Sequence, residues 1–419
     1  MPPIRFIHAA DLHLDAAFSG LSRDIPADFA ERLRTATFTA FRRLLDLCER
    51  ESPDFLLLAG DVYNQEDASV SAQLVLRDGF RRLESLSIPV FLVHGNHDPL
   101  ASRLRSVRWP GNVTVFGELP DAVPVFRKGE GTPLAIIHGA SHASGRETRN
   151  LAALFRRTEA CGLHVGLLHA TPGDADGVAR YAPFSQEDLK ASGMDYWALG
   201  HIHDRREVCR EPLAAYPGCT QGLHINEPGE KGCLLVTAEA RPDGGYAVRT
   251  SFRPLGPAVW KTLDMDLGGA ASLDELENRL RTGLDRAAAE VWSGCEMLLV
   301  RLRLQGRTEL DGLLRKGTTC AELADRLRED GSGVPRIWIK DIDVATRPCV
   351  ERGALLERED LLGEVFRLSE AARTASGLQA LREGPLAPLF AHARAGKALE
   401  PLTDEELARL LDDAESLCL

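Results

Sequence analysis

Five apolar runs, at residues 4–10, 55–59, 90–93, 165–168 and 196–199, each end at or just before a polar side chain: Asp11, Asp61, Asn96, His169 and His201. Runs of this length set between amphipathic stretches are what strands covered on both faces look like. One intervening stretch is helical, because Phe29, Leu33, Ala36, Ala40, Leu44 and Leu47 recur at spacings of three and four behind Pro26, a residue suited to a first helical turn. Strand, helix, strand is therefore the repeating unit, and it predicts an α/β fold. In such folds functional side chains gather beyond the carboxyl ends of the strands, so the polar residues are expected to converge on one sheet edge.

The converging segments read Asp11-Leu-His13, Gly60-Asp61, Gly95-Asn-His-Asp98, His169 and Gly200-His-Ile-His203. Carboxylates mixed with imidazoles and one amide carbonyl suit Mn, Fe or Zn better than the all-oxygen shells of Ca or Mg. Two divalent ions about 3.5 to 4 Å apart need a bridging group and further protein ligands on each side, with positions left for water and substrate. Asp61 is the natural bridge, one carboxylate oxygen to each ion. Asp11, His13 and His203 serve the first ion, and Asn96, His169 and His201 the second. His97, surplus to that count, is left to protonate a leaving oxygen, with Asp98 to orient its ring. The chemistry expected is metal-assisted hydrolysis of a phosphate ester.

Each segment alone is weak, because Asp and Gly are favoured at turns and a lone histidine is usually a satisfied core residue. Specificity comes from the ordered set at strand ends. Of the spare histidines, His8, His94, His138, His142, His164 and His224 read as structural, although His138 and His142 fall in a loop able to face the site. The nine cysteines form no Cys-x-x-Cys pair, so buried free thiols are expected even for the neighbouring Cys209, Cys219 and Cys233.

The segments Phe6 to Asp15, Ala59-Gly-Asp-Val-Tyr63, His94 to Asp98, Tyr196 to His203 and Tyr216-Pro-Gly218 together resemble calcineurin-type metallophosphoesterases of the DNA repair exonuclease branch, the SbcD- and YhaO-like group. Tyr181-Ala-Pro183, Gln221 to Asn226 and Glu230-Lys-Gly232 add to the likeness. The resemblance implies a two-sheet αββα sandwich with a small α/β cap and a helical C-terminal tail. It implies a manganese-dependent DNA nuclease, exonuclease or endonuclease, acting in double-strand break repair with an SMC-like coiled-coil ATPase, and a homodimer. Carried over residue by residue, its metal positions are Asp11, His13, Asp61, Asn96, His169, His201 and His203, and its acid or phosphate-contacting histidine is His97. Where many relatives have His or Asp just after Gly-Asp, this chain has Tyr63-Asn64-Gln65. The alternative is a stand-alone phosphodiesterase on nucleotides or small phosphate esters.

Composition bears on the partner. With 50 Lys and Arg against 62 Asp and Glu, the formal charge is −12, the wrong sign for a free-standing DNA binder. Basic residues cluster only locally, at Arg103, Arg105 and Arg108, at Arg205 and Arg206, and at Arg301 and Arg303. Weak intrinsic DNA affinity follows, with a partner supplying most of the grip. A chain of 419 residues exceeds one ordinary domain. We expect a catalytic unit over residues 1–255, a capping unit over 256–348 after the Pro254-Leu-Gly-Pro257 break, and a helical docking region over 349–419. The short N-terminal apolar stretch carries His8 and Asp11, unlike a secretory leader, and no run of 18 or more apolar residues occurs, so a cytoplasmic protein is expected.

Overall fold

The computed structural model describes residues 2–21, 25–64, 69–101, 107–173, 180–242, 244–329, 333–349, 352–392, 399 and 401–418. Gln65, Arg103 and Arg105, singled out above, lie outside the described residues. The chain forms two compact units, one of Met1–Thr262, Arg286–Arg301 and Gly331–Lys340, the other of Leu263–Asp285, Leu302–Asp330 and Asp341–Leu419.

Twelve strands build the first unit's two sheets: β1 (Ile4–Ala9), β2 (Phe55–Ala59), β3 (Val90–Val93), β4 (Val113–Val115), β5 (Asp121–Val125), β6 (Ala135–Ala140), β7 (Leu163–His169), β8 (Tyr196–Gly200), β9 (Arg206–Arg210), β10 (Leu213–Tyr216), β11 (Gly232–Ala240) and β12 (Tyr246–Pro254). One sheet has the order β12-β11-β1-β2-β3-β4 and the other β5-β6-β7-β8-β10-β9. In the first, β1 to β4 run parallel, β11 pairs antiparallel with β1, and β12 pairs antiparallel with β11. In the second, β6, β7, β8 and β10 run parallel between antiparallel edges.

Both faces of the central strands are covered, which is why their sequences read as unbroken apolar runs. Phe6, Phe55, Leu57, Phe91, Ile137, Val165, Leu167 and Tyr196 fill the space between the sheets, with Phe6 stacked on Phe55 at 4.6 Å between ring centroids. On the outer face of the first sheet, Ile7, Leu56 and Leu58 meet Phe41, Leu44, Leu76 and Phe80 of the helices Ala36–Glu51 and Val70–Ser85. The second sheet's outer face packs Trp197 and Leu199 against Phe155 and Leu189, the latter on the helix Gln186–Ala191. The layers are thus helix, sheet, sheet, helix, the expected αββα sandwich.

The first helix departs from its periodicity. It is two helices, Ala27–Arg34 and Ala36–Glu51, broken at Thr35. The Thr35 hydroxyl donates back to the Glu31 and Arg32 carbonyls at 3.1 and 3.3 Å, a local bond of the kind that competes with helix continuation. The break lets one apolar pattern serve two cores. Phe29 and Leu33 join Trp260, Met297, Leu299 and Trp338, whereas Leu44 and Leu47 face the first sheet.

A further sheet has the order β13-β14-β15, with β13 at Ala258–Asp266, β14 at Met297–Thr308 and β15 at Arg336–Pro348. The second unit ends in short helices at Arg352–Leu356, Leu361–Ala372, Ala375–Glu383, Ala387–Ala391 and Asp404–Leu417. Thr403 and Glu406 form the capping box that their spacing predicts. Phe366 and Leu407 are buried, whereas Leu410 is exposed.

Candidate metal centre

The carboxyl ends of the parallel strands deliver the polar residues to one edge. Asp11 follows β1, Asp61 follows β2 and Asn96 follows β3; His169 ends β7, and His201 and His203 follow β8. Three of these residues and His13 sit in left-handed backbone: Asp11 (φ 52), His13 (φ 42), Asp61 (φ 49) and His201 (φ 103). A non-glycine residue there costs of order 1 to 3 kcal/mol and persists only where the surroundings over-determine it. The surroundings here do so. Asp11 N–H donates to the Gly60 carbonyl and His13 N–H to the Asp61 carbonyl, each at 3.1 Å. His201 N–H donates to the Asp11 carboxylate at 3.1 Å, and His97 N–H to Asp61 Oδ1 at 2.9 Å.

Among the described residues, ligand atoms of Asp11, His13 and His203 lie within 4.8 Å of one another, and so do those of Asp61, His169 and His201. Asp61 Oδ2 stands between the two groups, 4.0 Å from His13 Nε2 and 3.2 Å from His169 Nε2. Asn96 Oδ1 is 3.1 Å from the same His169 nitrogen. The sequence reading assigned one Asp61 oxygen to each ion. In the structure Oδ2 lies close to both groups, and Oδ1 accepts the His97 N–H.

Hydrogen-bond partners fix the imidazoles. The Ala59 carbonyl can only accept, so His169 Nδ1 donates to it, at 2.9 Å. His13 Nδ1 donates to Asn64 Oδ1 at 2.6 Å, and His203 Nδ1 to Glu227 Oε1 at 2.5 Å. With Nδ1 so engaged, Nε2 is the atom that each ring turns inward. His13 and His203 bring those nitrogens within 3.1 Å of each other. Two nitrogens each about 2.1 Å from one tetrahedral or octahedral ion stand roughly 3.0 to 3.4 Å apart, so the donor set fits a metal ion.

The electrostatics agree. Burial pushes the Asp11 carboxyl up to about 6 against the pull of His169 and His203. Burial would also raise Asp61, yet His169, His13 and His97 hold it well below the carboxylate range. His169, which burial alone would lower, is carried up to about 9 by Asp61. Two nearly dry carboxylates thus demand positive charge.

Asp98 does not take the role given to it. Its buried carboxylate accepts from Val62 N–H at 2.9 Å and Gly95 N–H at 2.7 Å, with His94 Nδ1 3.3 Å away. Asp98 thus ties two loops together, while His97 is exposed, its ring centroid 5.3 Å from that of His13. His138 is likewise not in a loop; it lies within β6, its Nε2 3.0 Å from His164 Nδ1. His142 does reach the site, donating from Nε2 to the His169 carbonyl at 2.6 Å. Glu227 was missed altogether. It is held down to about 2, against the upward push of burial, chiefly by His203, and its only sequence signal is that it follows the Gln221 to Asn226 motif.

Residues 4–205 match the calcineurin-like phosphoesterase family, and residues 260–347 match the middle domain of the metallophosphoesterase YhaO. The metallophosphoesterase YhaO of Bacillus subtilis is 34% identical over 388 residues, 91% of each chain. The chain belongs to the calcineurin-like phosphoesterase family. Membership implies a phosphoester hydrolase that uses divalent metal ions. The DNA double-strand break repair protein Mre11 of Aeropyrum pernix is 27% identical over 324 residues, 70% of this chain and 69% of that protein. Mre11 of Sulfurisphaera tokodaii is 26% identical over 216 residues, 49% of this chain and 50% of that one. No helix of the described residues is long and apolar enough to cross a membrane.

Proposed function

We propose that this phosphoesterase is a manganese-dependent DNA nuclease that processes DNA ends together with an SMC-like coiled-coil ATPase. The observation that carries this reading is the pair of His and Asp groups flanking Asp61 Oδ2, in a chain whose relatives include proteins named for DNA double-strand break repair. Asp11, His13 and His203 would hold one ion, and Asn96, His169 and His201 the other, with Asp61 shared. Bound there, the ions supply positive charge for the phosphate and activate the attacking water. His97, exposed, hands a proton to the leaving oxygen. The strained, cross-bonded strand ends keep the ligands from relaxing away from one another.

With a net charge of −12, the chain needs a partner to hold DNA at physiological salt. Residues 256–348 are assigned as the capping unit. Residues 349–419 are assigned to ATPase docking, since Leu361, Leu368, Leu410 and Leu417 of the tail helices stay exposed and an amphipathic helix of this kind suits a coiled-coil partner. Two assays check the reading. With manganese, the purified chain is expected to cleave linear duplex, hairpin or single-stranded DNA as well as a chromogenic phosphodiester, and to fall silent in EDTA. Cleavage of the small diester alone would favour the stand-alone phosphodiesterase, and silence on every substrate would defeat both. Truncation after Leu356 is expected to abolish co-purification of the ATPase while sparing the diesterase; retained binding would refute the docking assignment.

A further inference from the structure

We propose that Glu227 is a positioning residue that makes the two ion positions unequal, by locking His203 and tightening the position formed by Asp11, His13 and His203. The inference rests on the two-ion reading above and goes beyond it in assigning a role to a residue outside the ligand set.

His203 lies three residues past the end of β8, and its side chain is 30% exposed. A separate segment restrains it. Lys231 Nζ donates to the His203 carbonyl at 3.0 Å and to Asp204 Oδ1 at 3.0 Å, fixing the backbone, while Glu227 fixes the ring. The Glu227 side chain is only 8% exposed and both its oxygens are engaged. Oε1 takes the His203 Nδ1–H at 2.5 Å, and Oε2 takes the Leu223 N–H at 2.7 Å. The turn that carries the residue is closed by Glu227 N–H donating to the His224 carbonyl at 2.9 Å, and His224 Nε2 lies 3.2 Å from Oε1. A carboxylate tethered in this way cannot swing away from the imidazole.

The other imidazoles with a defined Nδ1 partner have neutral ones, an amide oxygen from Asn64 for His13 and a backbone carbonyl from Ala59 for His169. A hydrogen bond to an ionised acceptor is roughly twice as strong as one between neutral groups. It holds the tautomer more firmly and pushes electron density toward Nε2, the atom that faces Asp11 and His13. Outer partners of this kind are typically worth about 10- to 100-fold in metal affinity. The gain falls on one position because Glu227 contacts no ligand of the other among the described residues.

The test is manganese titration of the EDTA-stripped full chain by calorimetry, with wild type, Glu227→Gln and Glu227→Asp in parallel. Glu227→Gln keeps the size and one acceptor but removes the charge. It is expected to weaken one ion by about 10- to 100-fold and leave the other within about twofold, with Glu227→Asp recovering part of the loss. Diesterase kcat of the Gln variant should fall at limiting manganese and return at saturating manganese, with KM for the diester unchanged. Equal weakening of both ions, or no weakening, overturns the proposal, as does a lower melting temperature of the stripped Gln variant with both affinities intact. A wild-type chain that takes up no pair of ions would instead refute the two-ion reading itself, so the two failures are distinguishable.

Discussion

Asp61→Asn is expected to abolish binding of the ion pair and to lower diesterase turnover by on the order of 10³-fold or more, with the fold intact. The magnitude follows from the several kcal/mol of transition-state charge stabilisation that metal ions supply, each 1.4 kcal/mol being about tenfold in rate. Asn is the informative replacement because position 61 has φ 49, a conformation that Asn tolerates better than most side chains. Its amide oxygen can still accept the His97 N–H that Asp61 Oδ1 accepts at 2.9 Å. What it cannot supply is the anionic Oδ2 facing His13 and His169 at 4.0 and 3.2 Å. Manganese stoichiometry and hydrolysis of a chromogenic diester measure both effects. Two ions bound with near wild-type affinity would show that Asp61 is not the bridge.

The contrast between Asp61 and Asp98 shows what the sequence makes legible. Both follow apolar strands, and the strands were readable because burial on two faces leaves no polar alternation in β2 or β3. Strand C-termini then placed Asp61 at the site edge by topology alone. Which way a loop side chain points is set by backbone dihedrals, and those are invisible in residue type. Asp98, adjacent to His97, therefore looked like its partner but turns instead to bind Val62 and Gly95. Glu227 was hidden for a related reason: its partner His203 lies 24 residues away, with no periodicity joining them. The split at Thr35 and the exposure of Leu410 are tertiary outcomes, in which an amphipathic pattern says that a face is apolar but not what covers it. Antiparallel pairing of β11 with β1, and of β12 with β11, likewise has no local signature, whereas the αββα layering follows from which strands are apolar throughout.

Gly200→Ala tests the join between sandwich and site. A Cβ at this position would lie 1.8 Å from the Ala59 carbonyl oxygen and 3.0 Å from His169 Nδ1, and the carbonyl oxygen is backbone that cannot rotate aside. That oxygen is the acceptor that holds the His169 ring at 2.9 Å. A methyl group there must push the end of β8 away from β2 across the space between the sheets. Overpacking a well-filled interior typically costs 1 to 3 kcal/mol and occasionally more; a clash with main chain belongs at the upper end, so about 3 kcal/mol is expected in chemical denaturation of the stripped protein. The site should suffer as well, because His169 loses its tautomer-fixing partner and affinity for the ion held by Asp61, His169 and His201 should drop by about 10-fold or more. Loss of stability with metal affinity unchanged would separate the two functions of this contact. Unchanged stability would mean that the sheets can part here at little cost, contrary to the close approach that only a glycine permits.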